Sequence, residues 1–346
     1  MLIESKIPVD PISQTVLSAL VYRLEGIDVR VWHSLTCVLV LALWATEARA
    51  QWPVGTTPQQ NEFWVEIGGR VFDRPGSDFG LPLVISSVTN ETYLDSDKAT
   101  DLNGAIGPDI RFGRRGRFGN EWEFVTNMAR WNEEIELRES NMFSPLFPLF
   151  EPDFIRMEYD STFYNLEFNC RKSIIPGVTV LAGPRYISLQ ERMQFNTETL
   201  LFDNGFSFLL QTEGASRTRN SMIGAQVGLE INQPVARDIY LQGFIKVAGL
   251  GNQTRLTETS FDNLSNVVSV NELTKSTGTF VGQTGGRVYF EMIPRRMASW
   301  VGYEATWIDG VAIAPPQLLN TELNAPVVTA NTIFWHAITF GVKIGY

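Results

Sequence analysis

FWHAITFGVKIGY, residues 334–346, closes the chain with a strict period of two. Phe334, His336, Ile338, Phe340, Val342, Ile344 and Tyr346 form one bulky row, and Trp335, Ala337, Thr339, Gly341, Lys343 and Gly345 form the other. Such alternation marks a strand with one face toward an apolar medium. In a soluble protein that medium is a core. In an outer-membrane barrel it is lipid, and Lys343 then points into the lumen. A last strand that ends on an aromatic also reads as a barrel-assembly signal, with Phe340, Val342, Ile344 and Tyr346 offered to the assembly machinery.

Bulk composition narrows the choice. Of 346 residues, 44% are hydrophobic and 19% charged, and mean hydropathy is near zero. This fits a β-rich globular protein or a barrel. Past residue 50, no apolar run approaches the roughly 18–20 residues that a spanning helix needs. A formal net charge of −10 argues against nucleic acid as a partner, since that requires a basic footprint. Residues 29–50, VRVWHSLTCVLVLALWATEARA, combine Arg30, a ten-residue apolar run and small residues at Ala48 and Ala50. That is a Sec-type signal peptide with cleavage expected before Gln51; a short buried helix is the competing reading. Residues 1–28 are an N-terminal extension unlike the start of a signal peptide, which places the expected start near Val29. Cys37 is then removed and Cys170 is left without an intramolecular partner. Residues 51–60 read as a flexible lead-in, and 61–346 as one barrel.

Ten alternating segments follow, roughly at 62–73, 103–113, 119–131, 161–172, 178–192, 219–232, 238–251, 279–292, 297–309 and 333–346. The turns FGRRGR, RKSIIPG, NQPVARD and IPRRM are short; the connections at about 74–102, 132–160, 193–218, 252–278 and 310–332 are long. Short and long alternate, which puts all tight turns at one end of the sheet and all long loops at the other, as in outer-membrane barrels. A soluble sandwich lacks that order. The predicted fold is an all-β, transmembrane, antiparallel up-and-down barrel of about ten strands. A segment in 80–90 or 261–273 joining the sheet would make the count eight or twelve.

The faces agree with this. Ile223, Ala225, Val227, Leu229 and Ile231 oppose Gly224, Gln226, Gly228 and Glu230; Ile106, Pro108, Ile110 and Phe112 oppose Gly107, Asp109 and Arg111. A basic residue on the lipid face at mid-membrane costs about 2–4 kcal/mol, so the charges are expected to point inward. The expected lumen set is Glu66, Arg70, Asp109, Arg111, Glu123, Glu167, Arg171, Arg185, Glu191, Glu230, Lys246, Arg287, Glu291, Glu304 and Lys343. Pro108 removes a ladder donor and predicts a bulge or strand end. Trp122, Tyr186, Trp307 and Phe334 fall near expected strand ends, where barrels carry aromatic girdles.

YDSTFYNLEFNCRKSIIPGVTVLAGPRYISLQERMQF, residues 159–195, resembles the middle of β-barrel porin family 7, a planctomycete-type group of outer-membrane barrels. The matching positions are Glu167 and Asn169, then Leu181, Gly183, Arg185, Tyr186, Leu189 and Glu191. TRNSMIGAQVGLEI, LQGFIKVAGLGNQT, DFGLPLVISS, GYEATWIDGVAIAPPQ and the closing strand are similar to other parts of that family in the same order. The chain departs from it at Pro184 and at APPQL, residues 314–318. The resemblance implies an outer-membrane barrel and little more.

Ten strands lie near the filled end of the barrel series: eight hold only side chains, sixteen an aqueous channel. Seven basic and eight acidic residues in the expected lumen set show no dominant sign, so strong ion selectivity is not expected. Two readings stand: a structural or surface-interaction barrel with a narrow or occluded lumen, and a porin-like channel for small solutes. Past residue 50 the one histidine is His336, which could pair with Glu322 or Asp309 at the rim. Catalysis, cofactors and metal sites are not expected, since no metal-ligand spacing is present. Loop 132–160, acidic with an apolar Phe-Pro-Leu-Phe run, is a candidate surface for a ligand or a cover for the barrel mouth. Arg114, Arg115, Arg117, Arg295 and Arg296 cluster in the tight turns, where the anionic inner leaflet or solvent would meet them.

Overall fold

In the computed structural model the described residues are 63–345, apart from 75–81, 96–97, 99–101, 117–119, 140–141, 145–151, 204–205, 264–266, 295, 319–326 and 330. The extension, the signal peptide with Ala48 and Ala50, the lead-in and Tyr346 lie outside them. Ten long strands form the wall: β1 (Phe63–Arg74), β4 (Leu102–Arg115), β5 (Asn120–Leu137), β7 (Phe154–Ile175), β8 (Val178–Asp203), β9 (Phe206–Ala236), β10 (Ile239–Asp262), β11 (Val267–Ile293), β12 (Met297–Val311) and β13 (Asn331–Gly345). Each pairs antiparallel with its neighbour along the chain, and β13 returns to β1, so the sheet is a closed up-and-down barrel. Closure leaves no open edge. Three short strands, β2 (Pro82–Ser86), β3 (Thr92–Asp95) and β6 (Met142–Phe143), form a separate small sheet. Neither it nor residues 261–273 change the count of ten.

Each of the ten predicted segments falls within a wall strand to within a residue at its described ends, but two of the predicted long loops are wrong. Most of 193–218 continues β8 and β9, paired as far as Asp203 and Phe206, and most of 252–278 continues β10 and β11, paired as far as Asp262 and Val267. Half of 132–160 likewise belongs to β5 and β7.

The reason is visible along β7. From Asn165 to Arg171 its buried row is polar (Asn165, Glu167, Asn169, Arg171) and its outer row is Tyr164, Leu166, Phe168 and Cys170. From Ile155 to Phe163 the rows exchange character: Ile155, Met157, Tyr159 and Phe163 are buried, while Arg156, Glu158 and Asp160 look outward. The period of two persists, but which face is apolar inverts. An alternation test that expects one apolar face reads the inversion as the end of the strand. On β9 the exposed apolar row runs from Ile223 to Ile231, nine residues, and gives way to Arg217 and Arg219 above and Gln233 below. A tilted barrel strand needs about 9–11 residues to span a bilayer.

Three prolines sit inside wall strands: Pro234 near the lower end of β9, and Pro108 and Pro184, each of which follows a glycine. The ladder between β4 and β5 begins at Asp109, immediately after Pro108. Pro184 keeps its place opposite Ala225 on β9, while the ladder to β7 skips from Arg185 to Ala182. A Cβ on Gly107 would lie 1.6 Å from the Met128 carbonyl oxygen, and one on Gly183 1.8 Å from that of Phe168. The Gly-Pro pair therefore lets a neighbouring carbonyl press against a backbone that cannot donate to it.

Candidate functional site

The lumen is the place where function would reside in a barrel, and most of the described side chains that face it are buried. Two charge networks fill its lower part, one from each half of the wall.

The first is built by β1, β4, β11, β12 and β13. Arg287, fully buried, donates to Glu304 at 2.5 Å and Glu66 at 3.3 Å, and lies 3.5 Å from Asp109. Arg70 bridges Glu304 at 2.6 Å and Asp109 at 3.0 Å. Arg111 closes the ring, 3.4 Å from Glu304 and 3.6 Å from Asp109. Gln283 donates to Glu304, and half-buried Lys343 reaches Glu66 at 3.2 Å. The Arg287 guanidinium lies 4.4 Å from the Trp300 ring centroid, and Lys343 Nζ 4.4 Å from that of Trp64, both within cation–π range. A Cβ on either Gly68 or Gly341 would lie 2.9 Å from the Trp300 ring. The glycines on this face make room for large side chains.

The second network is built by β5, β7, β8, β9 and β10. Glu167 accepts from Lys246 at 2.8 Å, Gln226 at 2.9 Å, Asn165 at 3.1 Å and Asn169 at 3.2 Å, with Arg185 3.7 Å away. Arg185 in turn donates to Asn165 at 2.8 Å and Gln226 at 3.3 Å. Arg171 donates to Glu123 at 2.8 Å, Glu121 at 3.2 Å and Glu230. Four cations face three carboxylates in the first network, and three face four in the second. The balance leaves no single-sign field along the axis, and each buried charge has a counter-charge, without which burial would be prohibitive.

Above the networks the lumen turns apolar. Phe72, Trp131, Phe163, Ile187, Leu189, Trp335 and Ile308 belong to one buried cluster, with Phe163 edge-on to Trp335 at 4.7 Å and to Phe72 at 6.4 Å. Near the end of β12 the ladder breaks at Gly310, whose φ is +82°, and the chain enters the mouth and continues as one helical turn, α1 (Ala314–Leu318). Asn220 grips it from both sides, donating to the Ala312 carbonyl at 2.7 Å and accepting from its N–H at 3.0 Å. Glu191 accepts from the Ala314 N–H at 3.0 Å and from Arg74 at 2.6 Å. Leu83, Val84 and Leu94 of the small sheet and Met142 join the same cluster, and Ser144 Oγ donates to the Leu83 carbonyl at 2.9 Å. Part of the acidic loop thus closes the mouth; its Phe-Pro-Leu-Phe run lies outside the described residues.

Of the charges expected inside, fourteen take part in these contacts. Glu291 is on the inward row at the lower rim and is half-buried. Glu191 stands apart from the two networks, in the upper layer with Arg74. Gln226 and Gln283 lie on the inward face as their alternation predicts, whereas Arg74, Glu121, Tyr159 and Asn165 were not expected. Asn165 shares a two-residue register with charges on its own strand, which is the signal that would have found it. His336 is on the outer row and sits 3.6 Å from Asp73, its register partner on β1, instead of Asp309, which accepts from Thr332; Glu322 lies outside the described residues. Cys170 is a free, exposed thiol on the outer row. Arg114, Arg115 and Arg296 are exposed at the tight-turn end; Arg117 and Arg295 are outside the described residues.

No protein-family model matches the sequence, and no curated relative does. Solved structures similar to this one include the outer membrane protease OmpT from Escherichia coli (11% identity, 85% of this chain and 99% of that chain, TM-score 0.42). The Pseudomonas putida toluene transporter TodX is similar at 10% identity, 84% and 89% coverage and TM-score 0.35. The translocator domain of the autotransporter NalP from Neisseria meningitidis is similar at 10%, 91% and 97%, with TM-score 0.30.

Proposed function

We propose that the chain is an outer-membrane barrel with an occluded lumen, serving as a structural or surface-interaction element of the envelope. The observation that carries this is the double seal: a neutral pair of ion networks below and a dry aromatic and aliphatic plug above, in series along one axis. A pore of ten strands has little width to begin with, and here side chains occupy it. The outer apolar row supports the membrane placement, since Ile67, Phe112, Phe168, Val227, Ile245, Phe290 and Ile338 are all exposed on it. Export through the signal peptide, insertion through the C-terminal strand, and a surface ligand for loop 132–160 belong to the same reading. Within outer-membrane barrels, the motif order over 160–252 favours β-barrel porin family 7.

Purified barrel in planar bilayers is expected to stay silent over a wide voltage range, to migrate faster unboiled than boiled on a gel, and to fractionate with outer membranes. Reproducible conductance steps would replace this reading with a channel for small solutes. Face assignment has its own test. Val227→Arg, in the middle of the outer apolar row, should cost about 2–4 kcal/mol in reversible urea unfolding from vesicles. Ala215→Arg, on the same row but beyond Arg217, should cost under about 0.5 kcal/mol. Equal costs would remove lipid from the outer face.

A further inference from the structure

Just above the outer apolar row on β8, β9 and β10, four exposed arginines stand together. Arg192 is the register partner of Arg217, and Arg219 that of Arg255. Directly opposed side chains on one face have Cβ atoms about 4.5–5.5 Å apart, and like charges there repel. Local carboxylates do not resolve this. Arg255 is held by Glu272 at 2.7 Å, and Asp160, the register partner of Arg192 on β7, is engaged instead by Asn132 at 2.8 Å and Arg130 at 3.9 Å. Arg192 donates only to the neutral Gln194, and Arg217 and Arg219 have no ion-pair partner among the described residues. In a chain with net charge −10, three uncompensated arginines in two adjacent rows imply an anionic occupant.

Position says which. Below the arginines lies a polar row, Ser188, Ser221, Gln253 and Ser276, and below that Tyr186 and Ile223 begin the apolar surface. Arg219 is four residues beyond Ile223, which at ~3.3 Å per residue and a tilt near 40° places it roughly 10 Å above the last apolar row. The headgroup layer is about 5–8 Å deep, and an arginine reaches back into it by snorkelling. Guanidinium groups match phosphate oxygens through paired N–H donors. Resting on the outer-membrane reading above, we infer that Arg192, Arg217 and Arg219, with Arg255, bind the phosphate groups of an outer-leaflet lipid.

The test uses the chain folded in a neutral maltoside detergent, with native mass spectrometry of retained lipid. The probe is a bisphosphorylated acyl-diglucosamine, compared with the same lipid lacking phosphates. The triple variant Arg192→Gln, Arg217→Gln, Arg219→Gln should retain the phosphorylated lipid at least tenfold less. Arg114→Gln, at the opposite end, should change nothing. Native barrel should prefer the phosphorylated lipid, and 10 mM inorganic phosphate should not displace it. Equal retention by the triple variant, equal retention of both lipids, or an equal loss in Arg114→Gln overturns the inference. Displacement by inorganic phosphate overturns it in favour of a free-anion site. Unboiled gel mobility confirms that each variant is folded. Membrane fractionation separates the two readings: a soluble chain overturns both, whereas a membrane-resident chain with unchanged lipid retention overturns only the arginine site.

Discussion

Arg287→Ala is expected to lower stability by about 3–5 kcal/mol, the usual cost of removing one partner from a buried ion pair. Arg287 touches three carboxylates, Glu304, Glu66 and Asp109. Arg111 also lies within 4 Å of all three, but at longer distances, and Arg287 alone fills the space against Trp300 among these cations. Its removal leaves three cations for three carboxylates, but Glu304 loses its shortest contact, buried acceptors go unpaired, and a void opens beside the indole. Arg287→Lys keeps the charge but not the planar fork, so a smaller loss is expected. Reversible urea unfolding followed by tryptophan fluorescence is the measurement. A double cycle with Glu304→Gln should show coupling above 0.5 kcal/mol, because the two groups share a contact. If Arg287→Ala costs less than about 1 kcal/mol, water reaches the network and the lumen is not dry there.

Phe163→Ala is the second large effect, at about 3–5 kcal/mol for a buried aromatic truncated in a packed cluster. Phe163 is 3% exposed and stands between Phe72 and Trp335. Neither ring can follow it, since both are fixed on strands of the closed wall. The same unfolding assay applies, with Phe163→Leu expected to recover more than half of the loss. Combined with Arg287→Ala, the substitution also tests occlusion. Each single variant should remain silent in a planar bilayer because the other seal persists, and the double variant should leak. Conductance in either single variant would show that the two layers do not act in series.

The ten strands and the parity of the charges in the expected set were legible because they are local properties, whereas the partner of His336, set by the closing strand pair, was not. Whether Val227 and Glu230 point to opposite sides depends only on the pleat. The strand extensions beyond Arg192 on β8, ahead of Arg219 on β9 and beyond Gly251 on β10 were not legible. There both rows carry polar residues, as in Arg217, Thr218, Arg219 and Asn220, and the apolar row has changed sides. The plug was hidden for the same cause. Phe163, Ile187 and Trp335 look like additions to an apolar face until the barrel closes and they meet. APPQL, a departure from the family pattern, proved to be the turn of helix that enters the mouth, with its prolines at a helix start where a missing N–H costs nothing.

Sequence alone determined that this chain makes an antiparallel meander with one greasy outer belt, because side-chain alternation and turn chemistry act within a few residues. Only the tertiary structure decided which side chains meet inside. Arg287 and Glu66 are 221 residues apart, and Lys246 and Glu167 are 79 apart. Whether such charges line water or neutralise one another depends on which opposite wall each one meets, and closure of the sheet sets that distance.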